Sequence, residues 1–495
     1  MPGRLLVLLA SIALVSMAGM DTAMAAQVRI TPSLTVEETY SDNIAATNDE
    51  DRRSAFVTSI IPGILVDKQS GRSSLSLAYR PELLIRHNTG STDFLQRLFG
   101  SARSELVRDT FFLEGTASAR QVSRTSQASI ALDNVNESDN RETAYAAKIT
   151  PSYRGHLGEF FDSFASLSLG RTHVSGGAAS DATDTNLLAS IRSGRYFRVF
   201  GWNLSVSDSR TIRGDSNDVV STNINLGLNY RLTREFSLFS NMGYSRGDAG
   251  DVFERNDGFY GTVGVAWQPT PRFRTSVQAG INRYGYSFSW APTNRTNIAF
   301  DYLNRDVGLN QGDRYSLALN HATRRSTWRL SYTEEVTTSQ ALLLVPILSI
   351  DDPLSDDQFS GFTLGFTDRV FLNKTLEANF AYALIRGRLE LRMSNEIREF
   401  EGEDSSDELM RLSARYSHTL SRASRASVEV DYRSVDSGLT SSDQQEIITY
   451  RLGLRHALSS YVDTSLELSR SEGNRGRGID DFSENRAVAK VSVRF

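Results

Sequence analysis

Apolar and polar residues take turns along most of this chain with a period of two. In Ser73–His87, Leu75, Leu77, Tyr79, Leu83 and Ile85 share one face, and Ser74, Ser76, Arg80, Glu82 and Arg86 share the other. Val220–Leu232 sets Ile224, Leu226, Leu228 and Tyr230 against Asn223, Asn225, Asn229 and Arg231. Phe259–Gln268 and Ile447–Leu458 read the same way, the second with Tyr450, Leu452 and Leu454 opposing Thr449, Arg451 and Arg455. The chain ends on Val491, Val493 and Phe495 with Lys490, Ser492 and Arg494 between them. Successive side chains of a strand point to opposite faces, so this pattern predicts strands with one greasy and one wet face.

A soluble sandwich or propeller could carry the same pattern, so the connections decide. Short ones are expected at Gln69–Arg72, Arg108–Thr110, Leu232–Glu235, Pro269–Arg272, Ala291–Asn294, Thr323–Ser326, Arg369–Lys374, Leu420–Ser424 and Leu458–Tyr461. Longer polar ones lie at Asn43–Ser54, Thr125–Arg141, Ser175–Asp184, Asp248–Asp257, Gln340–Asp357, Met393–Asp407 and Ser471–Asn485. Short periplasmic turns alternating with longer outer loops are the mark of outer-membrane barrels. The reading is an all-β, transmembrane, antiparallel up-and-down β-barrel of about 24 strands (range ~20–24), an even number that puts both ends of the sheet on the periplasmic side.

The polar faces carry many charges, which a water-filled lumen accommodates. From strand phase alone, Arg231, Arg329, Arg411, Arg415, Glu429, Asp431, Arg433, Arg451 and Arg455 are expected to line it. Aromatic residues cluster near strand ends, among them Tyr40, Phe56, Phe111, Tyr153, Phe160, Tyr196, Phe236, Phe273 and Tyr461, as interfacial girdles require.

Arg4, the apolar run Leu5–Val15 and the small residues ending Ala23-Met24-Ala25 read as a cleaved secretory signal over residues 1–25. The rest, 26–495, reads as one barrel domain. The alternation already begins at Arg29–Tyr40, so a plugged, energy-coupled transporter with a globular domain before its strands is not expected. No later apolar run reaches the ~20 residues of a helical span. Cysteine is absent, so rigidity must come from closure of the ladder rather than from disulfides. The net charge of −5 carries no basic excess of the kind that nucleic acid binders show.

Two stretches resemble a known family. The opening Ile30-Thr31-Pro32-Ser33-Leu34-Thr35-Val36-Glu37-Glu38-Thr39-Tyr40-Ser41-Asp42-Asn43 and the later Ser326-Thr327-Trp328-Arg329-Leu330-Ser331-Tyr332-Thr333-Glu334-Glu335-Val336-Thr337-Thr338-Ser339 are similar to outer-membrane β-barrel proteins associated with PEP-CTERM systems. The resemblance in layout covers nearly all of the chain after the signal. It implies residence at a Gram-negative outer membrane and a role in producing or exporting an exopolysaccharide. It brings no catalytic or binding residues with it.

Candidate chemistry is sparse. His87, His156, His173, His321, His418 and His456 lie on separate segments without metal-ligand spacing, so no metal or other cofactor is expected. Ser417-His418-Thr419 and Asn320-His321 are strand neighbours that point apart, so no relay follows and the chain is not expected to be an enzyme. Arg213-Gly214-Asp215 is a chance-level adhesion tripeptide. Acidic clusters in the long loops read as solvated surface. The odd feature is the apolar Leu342-Leu343-Leu344-Val345-Pro346-Ile347-Leu348 in an otherwise polar loop. Such a segment must bury itself or meet a partner: it can fold inward as a constriction, lie on outer-leaflet lipid or dock another protein. An inward or rim-packed gate is the preferred reading, carried by Leu342, Leu343, Leu344, Pro346 and Leu348. Val491, Val493 and Phe495 are expected to serve as the signal for the barrel-assembly machinery. Outer-membrane lipid, lipopolysaccharide and polysaccharide export proteins are the other expected partners. The functional expectation is a passive pore or scaffold for exopolysaccharide. The alternatives are a closed structural or adhesion barrel and, third, an outer-membrane hydrolase.

Overall fold

The computed structural model describes residues 27–124, 134–137, 140–176, 181–214, 217–249, 257–309, 311–344, 365, 367, 369–400, 406–438, 444–474 and 481–495. The expected signal, Pro346, Leu348 and Asp215 lie outside these residues. Within them the strands are β1 Gln27–Ser41, β2 Ala55–Gln69, β3 Ser73–Tyr79, β4 Glu82–Arg86, β5 Thr92–Leu95, β6 Leu98–Val107, β7 Phe111–Ser123, β8 Arg141–Leu157, β9 Phe161–Val174, β10 Ala182–Ser193, β11 Phe200–Arg213, β12 Val219–Arg231 and β13 Phe236–Asp248. They continue as β14 Gly258–Thr270, β15 Phe273–Ile281, β16 Arg283–Thr293, β17 Thr296–Arg305, β18 Gly312–Ala322, β19 Ser326–Thr338, β20 Val370–Ala383, β21 Gly387–Glu399, β22 Ser406–Thr419, β23 Ser424–Asp436, β24 Gln445–Ala457, β25 Val462–Asn474 and β26 Phe482–Arg494. Among the described residues there is one short α-helix, α1, at Ser339–Leu343, and a 3-10 turn at Asp49–Asp51.

Each strand pairs antiparallel with its neighbours, and β1 pairs with β26 from Ser33↔Arg494 to Ser41↔Arg486, which closes the sheet on itself. β3 and β4 both pair with β2, and β3 pairs with β6 while β4 pairs with β5. The expected single strand Ser73–His87 is therefore two segments of one ring position, and β5 with β6 make up the next, giving a ring of 24. The interruption falls at Pro81, which has no N–H to give the ladder. Arg80 N still donates to Arg97 O across the break (2.8 Å).

Two connections differ from the sequence reading. Arg369–Lys374 is no turn: β20 begins at Val370, and the turn lies at 384–386, where Leu384 N donates to Gly387 O. Met393–Asp407 is mostly strand, since β21 runs on to Glu399. The alternation of short and long connections also weakens: β10–β11 at the short-turn end has six residues, one more than β11–β12 at the long-loop end. β15 and β16 are joined at the long-loop end by Asn282 alone, in the left-handed region (φ 56°) that Asn tolerates.

The two faces of the sheet match the alternation. Phe259, Val263, Val265 and Trp267 of β14 and Tyr450, Leu452 and Leu454 of β24 point outward and are exposed. Their strand neighbours point into the ring. The outer face is banded by aromatic rings. Tyr40 packs against Phe56 at a tilt and Tyr244 edge-on against Phe259 near the long loops, where Tyr302 also meets both Tyr284 and Tyr315. Near the short turns sit Phe111 with Tyr153, Trp267 with Phe236 and Phe273, and Trp328 with Phe380. From Phe259 to Trp267 the chain rises roughly 27 Å along the strand, or about 20 Å along the axis at the usual tilt. That is close to the ~25 Å apolar band of an outer-membrane barrel.

Candidate functional site

The inner wall from β22 round to β1 is a ladder of paired charges. The side-chain alternation puts Arg411, Arg415, Glu429, Asp431, Arg433, Arg451 and Arg455 on one concave surface, together with Glu37, Asp463, Glu467, Lys490 and Arg494. Asp431 takes Arg411 Nε at 2.8 Å and Arg433 Nη2 at 3.2 Å. Glu429 holds Arg451 Nη1 at 2.8 Å and lies 3.8 Å from Arg415 Nε. Asp463 bridges Arg455 (3.1 Å) and Arg494 (2.6 Å). Lys490 approaches Glu37 across the closing pair β1–β26 at 3.8 Å. Antiparallel register explains the pairing, since Arg411↔Arg433, Ser413↔Asp431, Arg415↔Glu429 and Glu429↔Arg451 face each other or sit one diagonal away. The ladder encloses a cavity of about 520 Å³, whose remaining lining is mostly Ser and Thr.

Arg231 and Arg329 are on the inner wall too, but on other arcs. Arg231 stands at the short-turn end of β12 opposite Ser237, and Arg329 between Asn320 and Asn379. Both are exposed. Val491 and Val493 of β26 pair with β1 and β25, and Phe495 N donates to Pro32 O at 3.0 Å.

The long-loop mouth is crossed by chain. Thr338 caps α1 by accepting from Ala341 N (3.1 Å), and Leu343 and Leu344 then bury against Val122, Ala144, Ala146 and Val174 of β7–β9. Leu344 sits on Gly170 so closely that a Cβ there would lie 2.6 Å from its Cδ1. β19 and β9 stand ten ring positions apart. A circular ring of this size would be roughly 45–50 Å wide. A one-turn helix spans only about 8 Å, so the wall is drawn inward here. On the outside of the neighbouring arc, Leu330, Ala378, Leu391, Leu412 and Val430 line a matching hollow.

Three further segments fold inward. Residues 134–137 reach the closing pair: Asn136 Nδ2 donates to Ile44 O (3.0 Å), and its Oδ1 accepts from Arg486 Nη2 (3.1 Å). Glu484, buried beside them, accepts from Ser41 Oγ (2.5 Å) and Arg486 (2.7 Å). Ile44 and Ala46, from the β1–β2 connection, pack on Val57, Leu84 and Val135 in one group and on Ile447 and Phe482 in another. Residues 307–309 press onto β13 and β14, where Gly247 and Gly258 leave the space they occupy.

The molecule combines a closed ring, an apolar belt of lipid height, aromatic bands and a charged interior. The chain is an outer-membrane β-barrel. No family model matches it, and no curated protein does. In fold it is similar to solved outer-membrane proteins at low identity. A mutant of the ferric enterobactin receptor PfeA from Pseudomonas aeruginosa aligns over 94% of this chain and 80% of its own, with 11% identity and a TM-score of 0.44. The FrpB iron transporter of Neisseria meningitidis aligns over 94% and 82% (9% identity, TM-score 0.45). OccK5 of Pseudomonas aeruginosa aligns over 94% and 98% (10% identity, TM-score 0.30).

Sequence reasoning did not single out Glu37, Asp463, Glu467 and Arg494 as ladder members, although strand phase places each of them inside. It also passed over Glu484 and Asn136, whose partners lie far away in sequence and leave no periodic trace. Among the described residues no group of three or more His, Asp or Glu is arranged to hold a metal ion.

Proposed function

We propose that this barrel is a gated conduit for an exopolysaccharide at the outer membrane. The supporting observation is the inner wall. Hydroxyl, amide and paired ionic groups offer many weak hydrogen bonds to sugar hydroxyls, while the ladder charges already satisfy one another and hold no ligand tightly. The family resemblance of the opening and Ser326–Ser339 stretches points the same way. α1 and the inward segments supply the gate, so the resting barrel conducts little. Proteoliposome swelling with oligosaccharides tests this. Faster swelling is expected once residues 341–350 are deleted, and no swelling in either form defeats the conduit.

A second reading, a closed barrel serving as a docking or adhesion platform, is favoured by the buried Asn136–Glu484–Arg486 junction. It predicts that loosening this junction leaves the barrel sealed to oligosaccharides.

A further inference from the structure

Five ring positions from the β22 edge of the paired ladder, the inner wall carries arginines arranged in the opposite manner. Arg283 of β16 and Arg305 of β17 are direct register partners, so both guanidiniums leave the same face of the sheet side by side. Like charges directly opposite one another are unfavourable unless something neutralises them. No ion pair joins either of them to a described carboxylate, and their Nε atoms are buried without a hydrogen-bond partner. Arg314 of β18 sits on the adjoining diagonal, since Leu303 is its partner and Gly312 is that of Arg305. The floor is Tyr260. Its ring lies 5.0 Å beneath the Arg283 guanidinium, and its hydroxyl donates to Asn225 Oδ1 at 3.0 Å. Asn241 and Thr262 continue the polar wall through Gln278. The cluster stands at the long-loop end, where β15–β18 are short and Asn282 alone joins β15 to β16.

We infer that Arg283 and Arg305, with Tyr260 beneath them, form a subsite for the carboxylate of an acidic sugar chain. The inference rests on the conduit reading and sharpens it, because the polymer would then carry uronic-acid-type residues. Guanidinium forks match a carboxylate's two oxygens, and two adjacent forks meet one carboxylate from both sides. The tyrosine ring gives a sugar face a surface to lie on, and Asn225, Asn241 and Gln278 are placed for its hydroxyls. The charged ladder cannot do this, because its cations are already held by Asp431, Glu429 and Asp463.

Equilibrium titration of the detergent-refolded full chain with trigalacturonate tests the site without needing transport. The wild type is expected to bind it and to ignore maltotriose. The double variant Arg283→Gln/Arg305→Gln is expected to weaken binding at least tenfold. Arg234→Gln, in a short turn at the other end, is expected to leave it unchanged. Folding of every variant is checked by the heat-dependent shift in electrophoretic mobility. Equal affinity in wild type and double variant, or an equal loss in Arg234→Gln, overturns the subsite. If trigalacturonate binds as expected while liposomes never swell, the subsite stands and the conduit reading falls.

Discussion

Glu484 shows how much one side chain can hold when its partners come from distant parts of the chain. It is buried at the closing pair and accepts hydrogen bonds from Ser41 and Arg486, with Asn136 alongside. Glu484→Ala removes a buried ion pair with Arg486 and the acceptor of Ser41, and is expected to cost about 3–5 kcal/mol. A fall in the urea midpoint of the refolded barrel measures it. The opposite sign is expected at the inner-wall arginines. Without ligand, Arg305→Gln relieves a like-charge pair and is expected to stabilise the barrel by roughly 0.2–1 kcal/mol. The same denaturation series reads that out. The sequence makes the facing of such residues legible, because a period of two assigns each side chain to wall or lipid. It does not make their partners legible. Arg411 finds Asp431 twenty positions away only because the strand register sets them one diagonal apart, and register is written in turn geometry rather than in composition.

At the level of single elements, α1 and the β15–β16 hairpin carry the sharpest expectations. A side chain at Gly170 must displace Leu344. Gly170→Val is therefore expected to unseat α1 and raise the mean single-channel conductance while leaving the strands folded. Leu343→Ala/Leu344→Ala should act in the same direction by removing the buried contact itself, and unchanged conductance in both variants argues against a gate. At the hairpin, Asn282 holds a left-handed conformation that a β-branched residue resists. Asn282→Val is expected to cost about 1–2 kcal/mol and Asn282→Gly much less, again by urea midpoint. The apolar run beginning at Leu342 was visible in the sequence as something that must hide. Where it would hide was not, because the hydrophobic surface that receives it comes from Val122, Ala144, Ala146 and Val174, scattered over three strands. The break at Pro81 was missed for a related reason. Residues on both sides keep the same alternation, so the phase runs straight through an interruption that only the missing N–H creates.

For the whole molecule, closure matters more than any one contact. Residues 486–493 of β26 pair with both β1 and β25, and a sheet with an unpaired edge has no place in hydrocarbon. Removing residues 482–495 is expected to abolish the folded, heat-modifiable form and yield aggregate, as seen by unheated gel electrophoresis. The fold class and the ring size followed from the alternation and the spacing of the turns, since both are local properties. The flattened shape of the ring did not, because it depends on loops from opposite sides meeting inside. One asymmetry of the outer face has a practical side. Trp202, Trp267, Trp290 and Trp328 all lie toward the short-turn end of their strands. Intrinsic indole emission from this protein therefore samples a single leaflet. Brominated phospholipids confined to that leaflet should extinguish it, and the same lipids on the other side should leave it bright, so a fluorimeter alone can report which way round the barrel has entered a vesicle.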